Sequence, residues 1–226
     1  MKIGLVCPYH IFRDGGVQEH ILALLEEYRS RGHHVKIITP QPRDHKGPAP
    51  EFVILLGTSI NTKAFTGTAW QWSFSVGTDA IDEVFAREKF DILHFHEPWI
   101  PVWGRQLVLR SKSANVATMH GRIDNVTGKA IISAFIPYTK PMLRHFDAFT
   151  ASAEVSAEYF RTLSKRPITI VPNGINLAKY SPKPSKAMAS SGCPAISPQT
   201  EIGRPASAQR ATSWAMTLSM AGESES

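Results

Sequence analysis

The residues best suited to chemistry stand where short apolar runs end. His94-Phe95-His96-Glu97-Pro98 closes one such run, and Thr118-Met119-His120-Gly121 closes the next. Alternation along a strand puts His94 and His96 on one face. Open α/β sheets bind ligands at the carboxyl ends of their strands, so His96 and Glu97 are placed at a cleft. Arg122, two residues beyond His120, is assigned to the same cleft. The His120 imidazole is suited to donate to a hydroxyl or a phosphate oxygen; a purely structural role is its alternative. For His94 the preferred reading is a hydrogen-bonded core residue. An H-x-H pair also suits a metal, but no convincing set of further histidines and carboxylates accompanies it, and no metal ligand is assigned.

A second candidate is Asp14-Gly15-Gly16-Val17, which joins an apolar run to a helical pattern. Glycines let the backbone turn tightly and approach a ligand. The helix that follows offers free N–H groups and a positive dipole end, both favourable to phosphate. A tight loop without a ligand is the alternative. The G-x-G-x-x-G dinucleotide fingerprint is absent, which removes the main support for a nicotinamide-type site. Trp70, Trp72, Trp99 and Trp103 are many tryptophans for a small domain. Trp99 and Trp103 follow the His-Glu-Pro turn and are candidates to line a site, with core packing as the alternative.

The elements that must position these residues alternate between strand and helix. Apolar runs predict strands over Lys2–Cys7, Val35–Thr39, Phe52–Leu56, Phe90–Phe95, Val116–Met119, Ala148–Ala151 and Ile168–Val171. Helices are predicted over Val17–Arg31, Asp79–Lys89, Val102–Ser111, Ile131–Phe146 and Glu154–Leu163. In the first, Ile21, Leu24, Leu25 and Tyr28 share one face, and Gly32 ends it. Pro137 and Pro141 break or kink the fourth. Repeated β-α units of this kind predict a doubly wound, parallel, Rossmann-like α/β sheet.

Composition bounds the rest. The chain has 226 residues, 42% of them apolar, enough for a core. No apolar run approaches the roughly 20 residues that span a bilayer, and no secretory leader is visible after Met1, so a cytoplasmic location is expected. The net charge of +6 is scattered without a basic run, which argues against nucleic acid and suits anionic substrates or anionic lipid. Cys7 and Cys193 form no redox or metal spacing; Cys7 reads as a small core residue. From about residue 185 to 226 the chain is rich in Ala, Ser, Gly, Pro and Thr. Such a segment buries too little apolar surface to offset its ordering entropy, and it is expected to be a disordered tail behind a domain spanning 1–184.

Taken in order, several motifs resemble one family. They are Cys7-Pro8-Tyr9, Gly15-Gly16-Val17-Gln18-Glu19-His20, Asp91 through Pro98, Ala117-Thr118-Met119-His120, and Ile170-Val171-Pro172-Asn173-Gly174-Ile175. The set is similar to family 4 of the retaining glycosyltransferases, and within it to the phosphatidylinositol mannosyltransferase-like group. The likeness covers roughly Met1–Pro184. It implies a GT-B architecture, two Rossmann-like domains facing a cleft, with this one on the acceptor side. It also implies that Gly15 and Gly16 meet the donor diphosphate, that His120 lies near the transferred sugar as the catalytic residue, and that Pro172, Asn173 and Gly174 lead to an interdomain hinge. No metal or other cofactor is implied, because protein cations and helix ends stabilise the leaving diphosphate.

Two departures qualify the resemblance. The family's donor-binding half carries an Arg, a Lys and a Glu-x₇-Glu motif; that set does not appear after Lys186, where no glutamate pair has the required spacing, so that half is expected to be missing, or to reside on a separate chain. Lipid-acceptor relatives carry a basic amphipathic helix before the His-x-His-Glu-Pro strand, whereas Asp79–Lys89 here is net acidic. The partners implied are a nucleotide diphosphate sugar and a lipid or saccharide acceptor, with peripheral membrane contact open, and docking through this helix and phosphatidylinositol as the acceptor both disfavoured. The expected function is hexosyl transfer, weak or absent in this chain alone. The alternatives are a non-catalytic acceptor-binding or interaction module, and a metal-dependent hydrolase using His94, His96 and His120.

Overall fold

The computed structural model describes residues 1–42, 47–63, 69–74, 77–98, 102–121, 133 and 136–174. The chain divides into two units, Met1–Ile175 and Asn176–Ser226. The second, with the tail expected at 185–226, lies outside the described residues.

The first unit is built on an eight-stranded sheet. Its strands are β1 (Lys2–Val6), β2 (His34–Pro42), β3 (Val53–Lys63), β4 (Ala69–Phe74), β5 (Ile92–His96), β6 (Ala114–Met119), β7 (Ala148–Ala151) and β8 (Thr169–Ile170). The spatial order is β4-β3-β2-β1-β5-β6-β7-β8. Seven strands run parallel, as the β-α alternation predicts, and β4 returns antiparallel along β3 at the edge. From β1 the chain builds outward to β4, then crosses back and builds the other half from β5. The β1/β5 junction is therefore the topological switch point, where loops diverge and open a crevice.

Helices α1 (Gly16–Ser30), α2 (Thr78–Glu88), α3 (Trp103–Arg110) and α4 (Glu154–Leu163) flank the sheet, and residues 136–139 are also helical. Helix α1 ends as its glycine predicts. Gly32 takes φ +81°, its N–H bonds Arg29 O, and the next N–H bonds Tyr28 O, the paired closure of a Schellman motif. The helix expected over Ile131–Phe146 is replaced at its carboxyl end by a 3₁₀ helix, Lys140–His145, with Pro141 in its first turn. Proline supplies no N–H for an α-helical bond to the preceding turn.

Two cores cover the two faces. On one, α1 lays Ile21 and Leu25 against Ile3, Leu5, Cys7, Val35 and Ile37. On the other, Leu93, Phe95, Ala117, Met119, Phe149 and Ala151 meet α2, α3, α4 and the 3₁₀ segment. Alternation sends Phe95 to the second core and His94 and His96 to the α1 face. Trp103, a candidate to line a binding site, belongs to the second core instead. It is fully buried, and its indole Nε1–H donates to Leu56 O at 2.8 Å. At the start of an α3 packed inward on Leu107 and Val108, a large apolar ring has more to gain from the core than from solvent.

Candidate active site

Register brings the two histidine motifs together. In the β5/β6 ladder His94 pairs with Val116 and His96 with Thr118. His120 lies two residues past Thr118 and so returns to the side His96 occupies. The outcome is a direct contact, His96 Nδ1 to His120 Nε2 at 2.9 Å, with the rings stacked 5.2 Å apart. His94 stacks behind His96 at 4.3 Å and hydrogen-bonds Thr118 Oγ1, which in turn bonds Thr150 Oγ1. His94 is thus the satisfied core residue expected of it.

A third motif contributes a histidine that sequence reasoning did not select. His20, one turn beyond Gly16 on α1, packs edge-on to His120 at 5.1 Å and to His96 at 5.6 Å. It reads in sequence as one of a polar run, Gln18-Glu19-His20. Only its spacing of four from Gly16, which shares its helix face, signalled that the Gly-Gly turn and this ring sit together.

Glu97 holds the arrangement from below. Its backbone is left-handed at φ +48°, a conformation costing a non-glycine residue about 1–3 kcal/mol. That turn aims the carboxylate at the next strand end, where Oε1 accepts N–H bonds from both His120 and Gly121 at 2.6 Å. Bonds to an ionised acceptor are roughly twice as strong as neutral ones, enough to offset the strain. Ser156 on α4 donates to His120 O at 3.0 Å. The His120 main chain is therefore fixed on two sides while its ring stays half-buried. His96 and Glu97, assigned to the cleft, are buried beneath His120.

Burial dominates the protonation of the cluster. It pushes His120 down to about 3, with His20 adding to the effect, and pushes His20 down to about 4. Burial, then repulsion from His20 and His120, takes His94 to about 3. Neutral imidazoles result, each with one donor and one acceptor nitrogen. Cys7 lies fully buried with its thiol pushed up to about 12 by desolvation, inert as a nucleophile, in keeping with its core reading.

Gly15 and Gly16 open α1 without any side-chain cap, and Glu19 N–H closes the first turn on Gly15 O. Space is open above Gly16, where an added Cβ would meet nothing within 4 Å. A helix amino terminus left uncapped at the sheet's switch point is a ready anion site. Pro172, Asn173 and Gly174 follow β8 as exposed coil. Arg122 and Trp99 lie outside the described residues, and Trp70 and Trp72 fall on β4. Among the described residues no helix is long and apolar enough to cross a membrane.

Known proteins give this geometry a context. The chain is 28% identical over 188 residues to the phosphatidyl-myo-inositol mannosyltransferase of Mycobacterium leprae, covering 83% of this chain and 49% of that protein. It is 27% identical over 185 residues to the Mycolicibacterium smegmatis protein of the same name, covering 81% and 46%. It therefore spans about half the length of the curated relatives it matches. Among solved structures, a sucrose-phosphate synthase from Thermosynechococcus elongatus superposes with a TM-score of 0.56 at 17% identity, over 78% of this chain and 49% of that one. The Anabaena HepE protein, solved with UDP and glucose, superposes with a TM-score of 0.53 at 14% identity, over 82% and 47%. Both have the Rossmann-like fold of this sheet. The profile of Glycosyltransferase Family 4 matches residues 14–179, from the Gly-Gly turn past the last strand, and the chain belongs to that family.

Proposed function

We propose that this chain is the acceptor-side domain of a retaining GT-B glycosyltransferase. The enzyme moves a hexose from a nucleotide diphosphate sugar to a lipid or saccharide acceptor. The observation that carries this reading is the junction of the uncapped α1 terminus with the His20/His96/His120 cluster at the β1/β5 switch point. In it, the N–H groups of Gly15, Gly16 and the first turn of α1 meet the donor diphosphate and stabilise the charge that develops on the leaving group. The neutral His120 ring lies against the transferred sugar and hydrogen-bonds a hydroxyl. His96 and Glu97 set the position of that ring from beneath, and Arg122 is assigned to the acceptor. Helix and side-chain charge take the place of a metal at the diphosphate. Pro172, Asn173 and Gly174 carry the chain toward the domain that holds most of the donor. That domain supplies the facing wall of the cleft, so the acceptor-side domain assayed by itself is expected to turn over weakly or not at all.

The matched relatives named phosphatidyl-myo-inositol mannosyltransferases favour mannose as the hexose and an inositol lipid as the acceptor. The acidic surface of α2 favours an acceptor reached without that helix docking on anionic lipid. Backbone amide spectra of the chain titrated with millimolar GDP-mannose and UDP-glucose test the reading. Shifts concentrated at Gly15, Gly16, His20 and His120, reproduced by the bare nucleoside diphosphate, are expected. Shifts confined to other strand ends, or none with either donor, would overturn it.

A further inference from the structure

The histidine cluster carries more than the transfer reading asks of it. One ring nitrogen from each of His20, His96 and His120 lies within 4.8 Å of the other two. These side chains come from three separate elements: α1, β5 and the turn after β6. Their convergence is a product of tertiary structure, not of local sequence. The hydrogen-bond account of the cluster also fails to close. His96 Nδ1 and His120 Nε2 share one proton, which leaves His96 Nε2 and His120 Nδ1, both buried without a partner among the described residues. Whichever way the shared proton points, neutral rings strand one N–H without an acceptor and one lone pair without a donor. Unmatched buried polar atoms of this kind call for a cause.

We infer that His20, His96 and His120 form a binding site for a single borderline divalent transition ion, with Zn²⁺ as the representative. Three imidazoles with no carboxylate among them match zinc, cobalt, nickel or copper and disfavour magnesium and calcium, which require oxygen ligands. Tetrahedral Zn²⁺ holds imidazole nitrogens at about 2.0–2.1 Å, hence about 3.4 Å from one another, so modest ring rotations close the set. The fourth position opens toward the half-exposed side of His20 and His120, where water or an anion completes it. Glu97 and Ser156 fix the His120 main chain and so supply the outer support that orients such ligands. The inference stands on ring geometry and does not rest on the transfer reading. An ion there would engage the His120 ring, so metal occupancy and sugar contact exclude each other.

The test uses the purified chain, stripped with chelator, and Zn²⁺ or Co²⁺ alone. Competition against a chromophoric chelator is expected to give one equivalent of Zn²⁺ bound. Co²⁺ is expected to give the visible bands of a tetrahedral nitrogen site. His20→Ala and His120→Ala each weaken binding by on the order of 10- to 100-fold. The double replacement His33→Ala with His34→Ala, at the far end of α1, leaves it unchanged. Because His120 is tied to Glu97 and Ser156, its variant is checked by far-UV circular dichroism; should it unfold, His20→Ala, which touches neither of those bonds, decides alone. Less than a tenth of an equivalent bound, octahedral cobalt spectra, or binding that survives His20→Ala and disappears with the His33/His34 replacement would each overturn the site.

Discussion

At the scale of single residues, Glu97 is the side chain on which the site's geometry depends most. The residue is 6% exposed, and its carboxylate takes two backbone N–H groups at 2.6 Å. It does so from a left-handed backbone that few non-glycine residues adopt. Removing the acceptor strands both N–H groups beneath His120. Glu97→Ala is therefore expected to lower unfolding free energy by about 2–3 kcal/mol, a value set by hydrogen bonds to a charged group. Glu97→Gln keeps an oxygen in place and gives up only its charge, so its cost is about 1 kcal/mol or less. Urea titrations of the two variants separate the cases. Equal, small losses from both would show that the carboxylate does not hold the turn. The same residue marks how far sequence reading reached. His-x-His-Glu-Pro announced a strand end with chemistry on it, but that the glutamate serves the neighbouring strand's backbone depends on the β5/β6 register, which no local pattern encodes.

At the scale of elements, the parallel strands and their helices were legible because each is written in local terms. Strands β1, β2, β5 and β6 each carry a short apolar run, α1 has a single apolar face, and Gly32 supplies its left-handed cap. What escaped is what other elements decide. Strand β4 exists because β3 offers it an antiparallel edge, pairing Thr58 with Phe74 through to Lys63 with Ala69. Its Ala-Trp-Gln-Trp-Ser-Phe sequence was weighed for its tryptophans and not for its alternation. Trp103 took the core alternative open to it, and His20 emerged from a run of polar residues only when α1 was laid over β1 and β2 beside His96. Close approach of strands also makes a prediction. Gly4 in β1 sits beside Leu93 of β5, and an added Cβ would fall 2.5 Å from Leu93 Cδ2 and 3.3 Å from the Phe90 ring. Leu93 and Phe90 both belong to the buried core cluster on that face, so relieving the contact means shifting side chains inside it. Gly4→Ala should destabilise the domain by about 1–3 kcal/mol through overpacking. Coupling it with Leu93→Val, which removes a methylene at the clash, should recover part of that loss in a double-mutant cycle. Independent, additive losses would mean that the strands part to admit the methyl group.

At the scale of the whole molecule, the histidine layer ties global stability to pH. His20, His94, His96 and His120 are all held below their ordinary value of 6.5, chiefly by burial and secondarily, for His94, His96 and His120, by one another. In the unfolded chain the same rings titrate normally. Between 6.5 and the depressed folded values, which reach about 4 for His20 and about 3 for His94 and His120, the unfolded state binds more protons than the folded one. Stability is therefore complete above 6.5 and is lost as the pH falls toward those values. Each group adds a slope of at most about 1.4 kcal/mol per pH unit, and half-exposed His20 and His120 contribute less than the buried pair because solvent screens them. Carboxylates such as Glu88 add their own acid loss only near and below 4.5, its ordinary value, since Arg87 and Lys36 hold it lower against the opposing pull of burial. The interval between pH 6.5 and 5 thus belongs to the histidines. Urea unfolding across that interval should show a falling midpoint, and His20→Gln, which removes one titrating ring from the edge of the layer, should flatten the fall. A midpoint constant from pH 7.5 to 5 would mean that protons reach the rings in the folded state, and that the layer is open to water where its packing closes it.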